Sequence, residues 1–119
     1  MKSLHRTKAL ESYRGARITL KEGLVYPSYM LLKEATRSTL AYINEDLYDK
    51  EYSEKTKMRT LLNETPAVLV QSVDMSVFEI FVDMDTKGLD GILALDIEKL
   101  NSIRKDLKTI MGLYLDADI

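Results

Sequence analysis

Apolar residues recur every three or four positions along most of the chain, the spacing that lines up side chains on one face of an α-helix. Ala9, Tyr13, Ala16 and Leu20 form the first such stripe, with Glu11, Arg14, Arg17 and Lys21 on its flanks and solvent side. Two of the four stripe residues are alanines, which lets a neighbouring helix approach closely. Gly23 stands where a left-handed closing residue is wanted, and Pro27 suits the first turn of a following helix, where its missing N–H is not needed. The pattern predicts a helical hairpin over residues 9–43, and the rest of the chain is organised around it.

The second helix is predicted over Pro27 to Asn44, with Leu31, Leu32, Ala35, Tyr42 and Ile43 on one face and Ser38 and Thr39 completing it. A second apolar strip lies elsewhere on the same helix: Met30 and Ala41 are close in angle, with Leu40 further round. A helix apolar on more than one side is either central in its bundle or shared with another chain. Arg37 falls within that strip. It either pairs with Glu34 and lays its stem on apolar surface, or serves a partner.

Residues 45–53 read as a polar connector. Ser53 can cap a short third helix in which Met58, Leu61 and Leu62 are buried and Lys55, Lys57 and Arg59 face outward. Thr65-Pro66 reads as a cap and first helical position opening a fourth segment that runs to about Asp85. A strand at 67–70 is a rival there, because the stretch is rich in valine, and a break is expected near Ser72 to Asp74. The run Asp83 to Ala94 begins like a calcium loop, with acids at positions one and three and glycine at six. Lys87 and Ala94 replace two required ligands, so a turn is predicted and no metal site. Asp96 caps the last helix, Leu95 and Leu100 are placed as a staple across that cap, and Ile97, Leu100, Ile103, Leu107, Ile110, Met111 and Tyr114 supply its apolar face.

Five amphipathic segments at most, joined by short connections, define an all-α fold: an up-and-down bundle of four to five helices in a single domain of 119 residues. Cysteine is absent, which removes disulfides, thiolate metal sites and cysteine nucleophiles. The amino terminus has no apolar run like that of a signal peptide, and no stretch is apolar enough to span a bilayer, so a soluble, cytoplasmic protein without membrane attachment is expected. Net charge is only −2, but it is unevenly shared. Residues 1–60 carry 12 Lys+Arg against 8 Asp+Glu, and residues 61–119 carry 5 against 11.

Little in the sequence suggests catalysis. The only histidine, His5, sits at the edge of the first stripe with no acid-base partner in view and reads as incidental. There is no glycine-rich phosphate loop, nucleophile elbow or His-Glu-x-x-His motif, and no cofactor is expected. Two binding readings follow. The first is a non-catalytic module that self-associates as a homodimer or binds a protein partner through Met30, Arg37, Leu40 and Ala41. The second is a nucleic-acid or nucleotide surface along Arg37, Lys55, Lys57 and Arg59.

The hairpin also resembles the first two helices of HEPN domains. The likeness rests on Ala9-Leu10, Tyr13, Ala16, Leu20, Glu22-Gly23-Leu24, Tyr26 and Met30, followed by Ala35, Arg37, Leu40 and Ala41. This resemblance implies a bundle of four or five helices, often dimeric, sometimes paired with a nucleotidyltransferase in toxin–antitoxin systems and sometimes acting as an RNase. RNase members use an Arg followed four to six residues on by His. Arg37 could occupy a similar helix, but Leu40-Ala41-Tyr42-Ile43-Asn44 contains no histidine, so the resemblance does not extend to ribonuclease activity.

Overall fold

In the computed structural model the described residues are 2–53, 55–66 and 73–115. They form an all-α bundle of five α-helices: α1 (Lys2–Lys21), α2 (Val25–Tyr48), α3 (Met58–Glu64), α4 (Ile80–Leu93) and α5 (Ile97–Tyr114), with a 3-10 turn at Met75–Glu79 leading into α4. Residues 67–70, where a helix is expected with a strand as its rival, lie outside the described residues.

The stripe that predicts α1 extends one turn further back than Ala9, to His5, and that is why the helix starts at the amino terminus. Its far end is closed by Gly23, at φ 74°. The Gly23 N–H bonds the Leu20 carbonyl at 3.1 Å and the Leu24 N–H reaches back to Thr19 at 3.0 Å, which satisfies two carbonyls that the helix end would leave bare. Only a residue without a Cβ takes that conformation without strain. On the other side of the turn, Ser28 Oγ donates to the Leu24 carbonyl at 2.5 Å and lies 2.7 Å from Thr19 Oγ1, so the two helices are also joined by side chains. Ala9, Ala16 and Ala35 are completely buried where α1 and α2 run antiparallel, and their small side chains permit the close approach.

The hairpin is covered by the other three helices, all of which pack on α2. From α4, Phe81 meets Tyr29 with ring centroids 5.5 Å apart. From α3, the Leu61 carbonyl and Thr65 Oγ1 accept hydrogen bonds from Asn44 Nδ2, so a short helix with no side-chain cap at its start is pinned through a buried amide. From α5, Leu100, Ile103, Leu107, Ile110 and Met111 enter the core. Asp96 caps α5 as expected, accepting from the Lys99 N–H at 2.7 Å. Helix α5 runs antiparallel to α1: Arg6 Nε donates to the Leu115 carbonyl at one end, and nearer the middle Arg104 Nη1 donates to Tyr13 OH.

Several boundaries differ from expectation. Helix α2 begins at Val25 and continues to Tyr48, because Asn44 and Glu45 are buried and hold the chain helical through what reads as a polar connector. Ser53 does not cap α3. Its hydroxyl accepts from the Lys55 N–H in a local turn, and the helix begins later, at Met58. Thr65 ends α3 instead of opening the next segment, its own hydroxyl donating to the Leu61 carbonyl. Of the residues where a break is expected, Ser72 lies outside the described residues, and the Asp74 side chain accepts from the Ser76 N–H and starts the 3-10 turn. The run predicted as a turn at 83–94 is mostly helical. Gly88 alone departs, at φ 70° and ψ −160°, and divides α4 into two short rods.

The second apolar strip on α2 is also placed differently from the expectation. Leu40 and Ala41 are buried inside the single chain, while Met30 is 43% exposed. From Leu32 to Glu45 α2 is central and largely enclosed by its own bundle; its first turns are open, and Leu47 and Tyr48 are exposed at its far end. Replacing Leu40 by Ala should therefore cost about 2–5 kcal/mol of unfolding free energy, as buried leucines do. Chemical denaturation followed by circular dichroism would measure it, and a loss no larger than that of an exposed leucine would contradict the placement of α2.

Candidate functional site

The residues singled out in the sequence do not come together as one site. Met30 is on the surface of α2, Leu40 and Ala41 are in the core, and Arg37 is half-buried on the same helix. Neither buried residue can touch a partner while the bundle is closed. Lys55 and Lys57 are exposed just before α3, but Arg59 holds Glu79, with Nη2 and Oε2 at 2.6 Å. Arg59 thus joins α3 to the turn before α4, and half of the four-residue basic surface is committed to the bundle or partly covered by it.

The open surface at the start of α2 has a different composition. Leu24, Tyr26 and Met30 are each more than 40% exposed, within seven residues. Tyr26 and Met30 are four apart on a helix and therefore neighbours on its surface. Pro27 continues the uncharged face. The nearest cation on the following turn, Lys33, is tied at 2.6 Å to Asp85 of α4, so the border of this patch carries a paired charge. Isolated exposed apolar side chains are ordinary in proteins, but adjacent Tyr and Met side chains are enriched where proteins meet. Sequence periodicity points to Met30 but misses Tyr26 as its companion, because Leu40 and Ala41 draw the strip toward the wrong end of the helix.

A buried polar network at the opposite end of the hairpin was not legible in the sequence. His5 Nε2 lies 3.0 Å from Glu45 Oε1 and 3.0 Å from the Tyr52 carbonyl. The carbonyl can only accept, so Nε2 carries the hydrogen and His5 is the donor. The Tyr52 N–H also donates to Glu45 Oε1, at 2.8 Å. His5 is therefore not incidental: with its partner acid it ties the first turn of α1 to the end of α2 and to the segment beyond. The Tyr52 hydroxyl then donates to Glu64, which also receives Lys50 Nζ at 3.1 Å. Those two bonds, the Tyr52 bond first, hold the Glu64 carboxyl below the usual carboxylate range. Burial, and then the Glu64 bond, push the Tyr52 phenol well above its ordinary value. Tyr29 is raised to about 12 by burial, with Asp85 adding to it.

This network looks like a proton-handling site, but its geometry is that of a clasp. His5 and Glu45 are both buried, and each spends its bond on the other and on the Tyr52 main chain. Among the described residues no group of three or more His, Cys, Asp or Glu side chains is arranged to hold a metal ion. No helix among them is long and apolar enough to cross a membrane.

Comparison with protein families, with curated proteins and with solved structures finds no match to this chain.

Two outcomes test the clasp. Substituting His5 with Ala leaves Glu45 short of a buried donor and should lower unfolding free energy by about 1–3 kcal/mol, measured by urea denaturation near neutral pH. Alkali should weaken the fold from the ordinary tyrosine value of 10.0 upward. Above that pH the unfolded chain gives up the Tyr29 and Tyr52 protons that the folded chain still keeps, so stability falls as pH rises. Replacing Tyr52 by Phe should flatten that decline in denaturation curves recorded on either side of this pH.

Proposed function

We propose that the protein is a non-catalytic, HEPN-like interaction module that pairs with a second copy of itself through Leu24, Tyr26 and Met30. The observation that carries this reading is the exposure of Tyr26 and Met30 side by side near the start of a helix whose middle is largely enclosed. An uncharged patch needs no matching pattern of opposite charge, so it can meet its own copy across a two-fold axis. A net charge of only −2 imposes little long-range repulsion between copies. The resemblance of the hairpin to domains that are often dimeric agrees with this reading, and the missing histidine after Arg37 is the reason for calling it non-catalytic.

The other reading, a polynucleotide surface along Arg37, Lys55, Lys57 and Arg59, is less well supported, because Arg59 is paired with Glu79 and Arg37 is half-buried. A contact between the module and a nucleotidyltransferase partner remains tied to the resemblance alone.

Sedimentation or light scattering on the full chain at tens of micromolar should show dimers. Met30→Glu should weaken the association by about tenfold or more while leaving the helical content and melting temperature unchanged, since Met30 lies outside the core. Leu113, 59% exposed on α5, provides a control in which Leu113→Glu has no effect on association. A monomer at these concentrations, or equal effects of the two substitutions, would overturn the proposal.

A further inference from the structure

Between the last turns of α1 and the first half of α5 lies a cleft of about 190 Å³ lined by Arg17, Leu20, Lys21, Asn101 and Arg104. Three of its five lining residues are cations and none is acidic. Arg17 and Lys21 are four apart on α1, so their side chains emerge from the same flank. Among the described residues neither has an ion-pair or hydrogen-bond partner.

Arg104 gives the cleft its rigid wall. Its Nη1 donates to Tyr13 OH at 2.9 Å and its Nε to Asn101 Oδ1 at 3.3 Å. Both acceptors are neutral, and no described carboxylate pairs with this part-buried guanidinium. An arginine used only to hold two helices together would ordinarily be met by an acid, because an uncompensated charge is costly to shield from water. Here the geometry is fixed and the charge is left available. The bond to Asn101 also orients that amide: its oxygen is taken by Arg104, which leaves the Nδ2 donor as its remaining polar atom. The polar groups left over are thus all donors: the Arg17 guanidinium, the Lys21 ammonium, Asn101 Nδ2 and the free part of Arg104. Buried Leu20 is the apolar member of the lining.

We infer that this cleft binds a terminal phosphate group, either as inorganic phosphate or as the phosphomonoester end of a small molecule. A tetrahedral dianion offers several acceptor oxygens to donors arriving from two sides, and planar guanidinium groups suit it in particular. The volume is below the roughly 300–1,000 Å³ of pockets that enclose a whole ligand, so the phosphoryl group enters and the remainder of an ester stays outside. The site is separate from the proposed self-association surface, and neither depends on the other.

Titration of the 119-residue chain with sodium phosphate, against sodium chloride at matched ionic strength, tests the inference. Phosphate should give saturable shifts of the Asn101 side-chain amide and Arg104 Nε–H resonances and should raise the melting temperature beyond the chloride effect. Arg17→Gln and Lys21→Gln, both at exposed positions, should each raise the phosphate Kd by about tenfold. The double variant Lys55→Gln, Lys57→Gln and the variant Met30→Glu should leave it unchanged. AMP binding without adenosine binding would show that an ester is accepted as well as the free ion; phosphate binding without AMP binding would restrict the site to the free ion. No saturable response to phosphate, an equal response to chloride, or adenosine binding as well as AMP would overturn the inference. So would binding of a single-stranded oligonucleotide with no response to either phosphate or AMP.

Discussion

The structure depends on the enclosure of one helix. From Leu32 to Glu45, α2 has buried residues on nearly every side, and α1, α3, α4 and α5 are arranged by the need to cover it. Each fully buried leucine or tyrosine contributes a few kcal/mol, and α2 carries Tyr29, Leu32 and Leu40 in that state. Such a helix cannot be stable alone in water. Its buried polar atoms are only partly satisfied: Asn44 Nδ2 donates to α3, so a buried amide becomes a connection between two elements, whereas Asn44 Oδ1, Tyr29 OH, Thr36 Oγ1 and Thr39 Oγ1 have no hydrogen-bond partner among the described residues.

Coverage of α2 ends before the hairpin turn, and that limit separates the molecule's two surfaces of interest. The uncovered side of its first turns shows Tyr26 and Met30. The last turns of α1 meet the first half of α5 and present cations instead, because Arg17, Lys21 and Arg104 fall on the flanks that a two-helix seam leaves open. The charge imbalance between the two halves of the sequence thus has a partly local origin. Some of the basic excess of the first half is concentrated at one seam, where a basic residue of the second half joins it.

The parts of this fold that were legible in the sequence are those set by neighbours within one or two turns. The α1 stripe, the left-handed Gly23, the Asp96 cap and the apolar face of α5 all follow from local spacing, and all are present. What could not be read depends on residues far apart. His5 and Glu45 are 40 positions apart, and Tyr13 and Arg104 are 91 apart, so neither pairing leaves a periodic trace. Leu40 and Ala41 illustrate a related limit: an apolar angle on a helix shows that something covers it, but not whether the cover is another chain or the same one. Thr65 failed differently. A threonine before a proline suits the start of one helix and the end of another, and the hydroxyl here closes the helix behind it.

The division of α4 at Gly88 has a mechanical consequence. The φ and ψ there belong almost solely to glycine, and no side chain lies near enough to obstruct a Cβ, so the backbone angle alone reserves the position. Beyond it only Ile92 is buried, whereas Leu89 and Leu93 are more than half exposed. The first rod is anchored by Phe81 and Met84; the second hangs from it by a single swivel and one apolar peg. Amide hydrogens in the second rod are accordingly the first in α4 to trade with solvent, and the helix loosens from its carboxyl end without disturbing the aromatic contact that fastens its beginning.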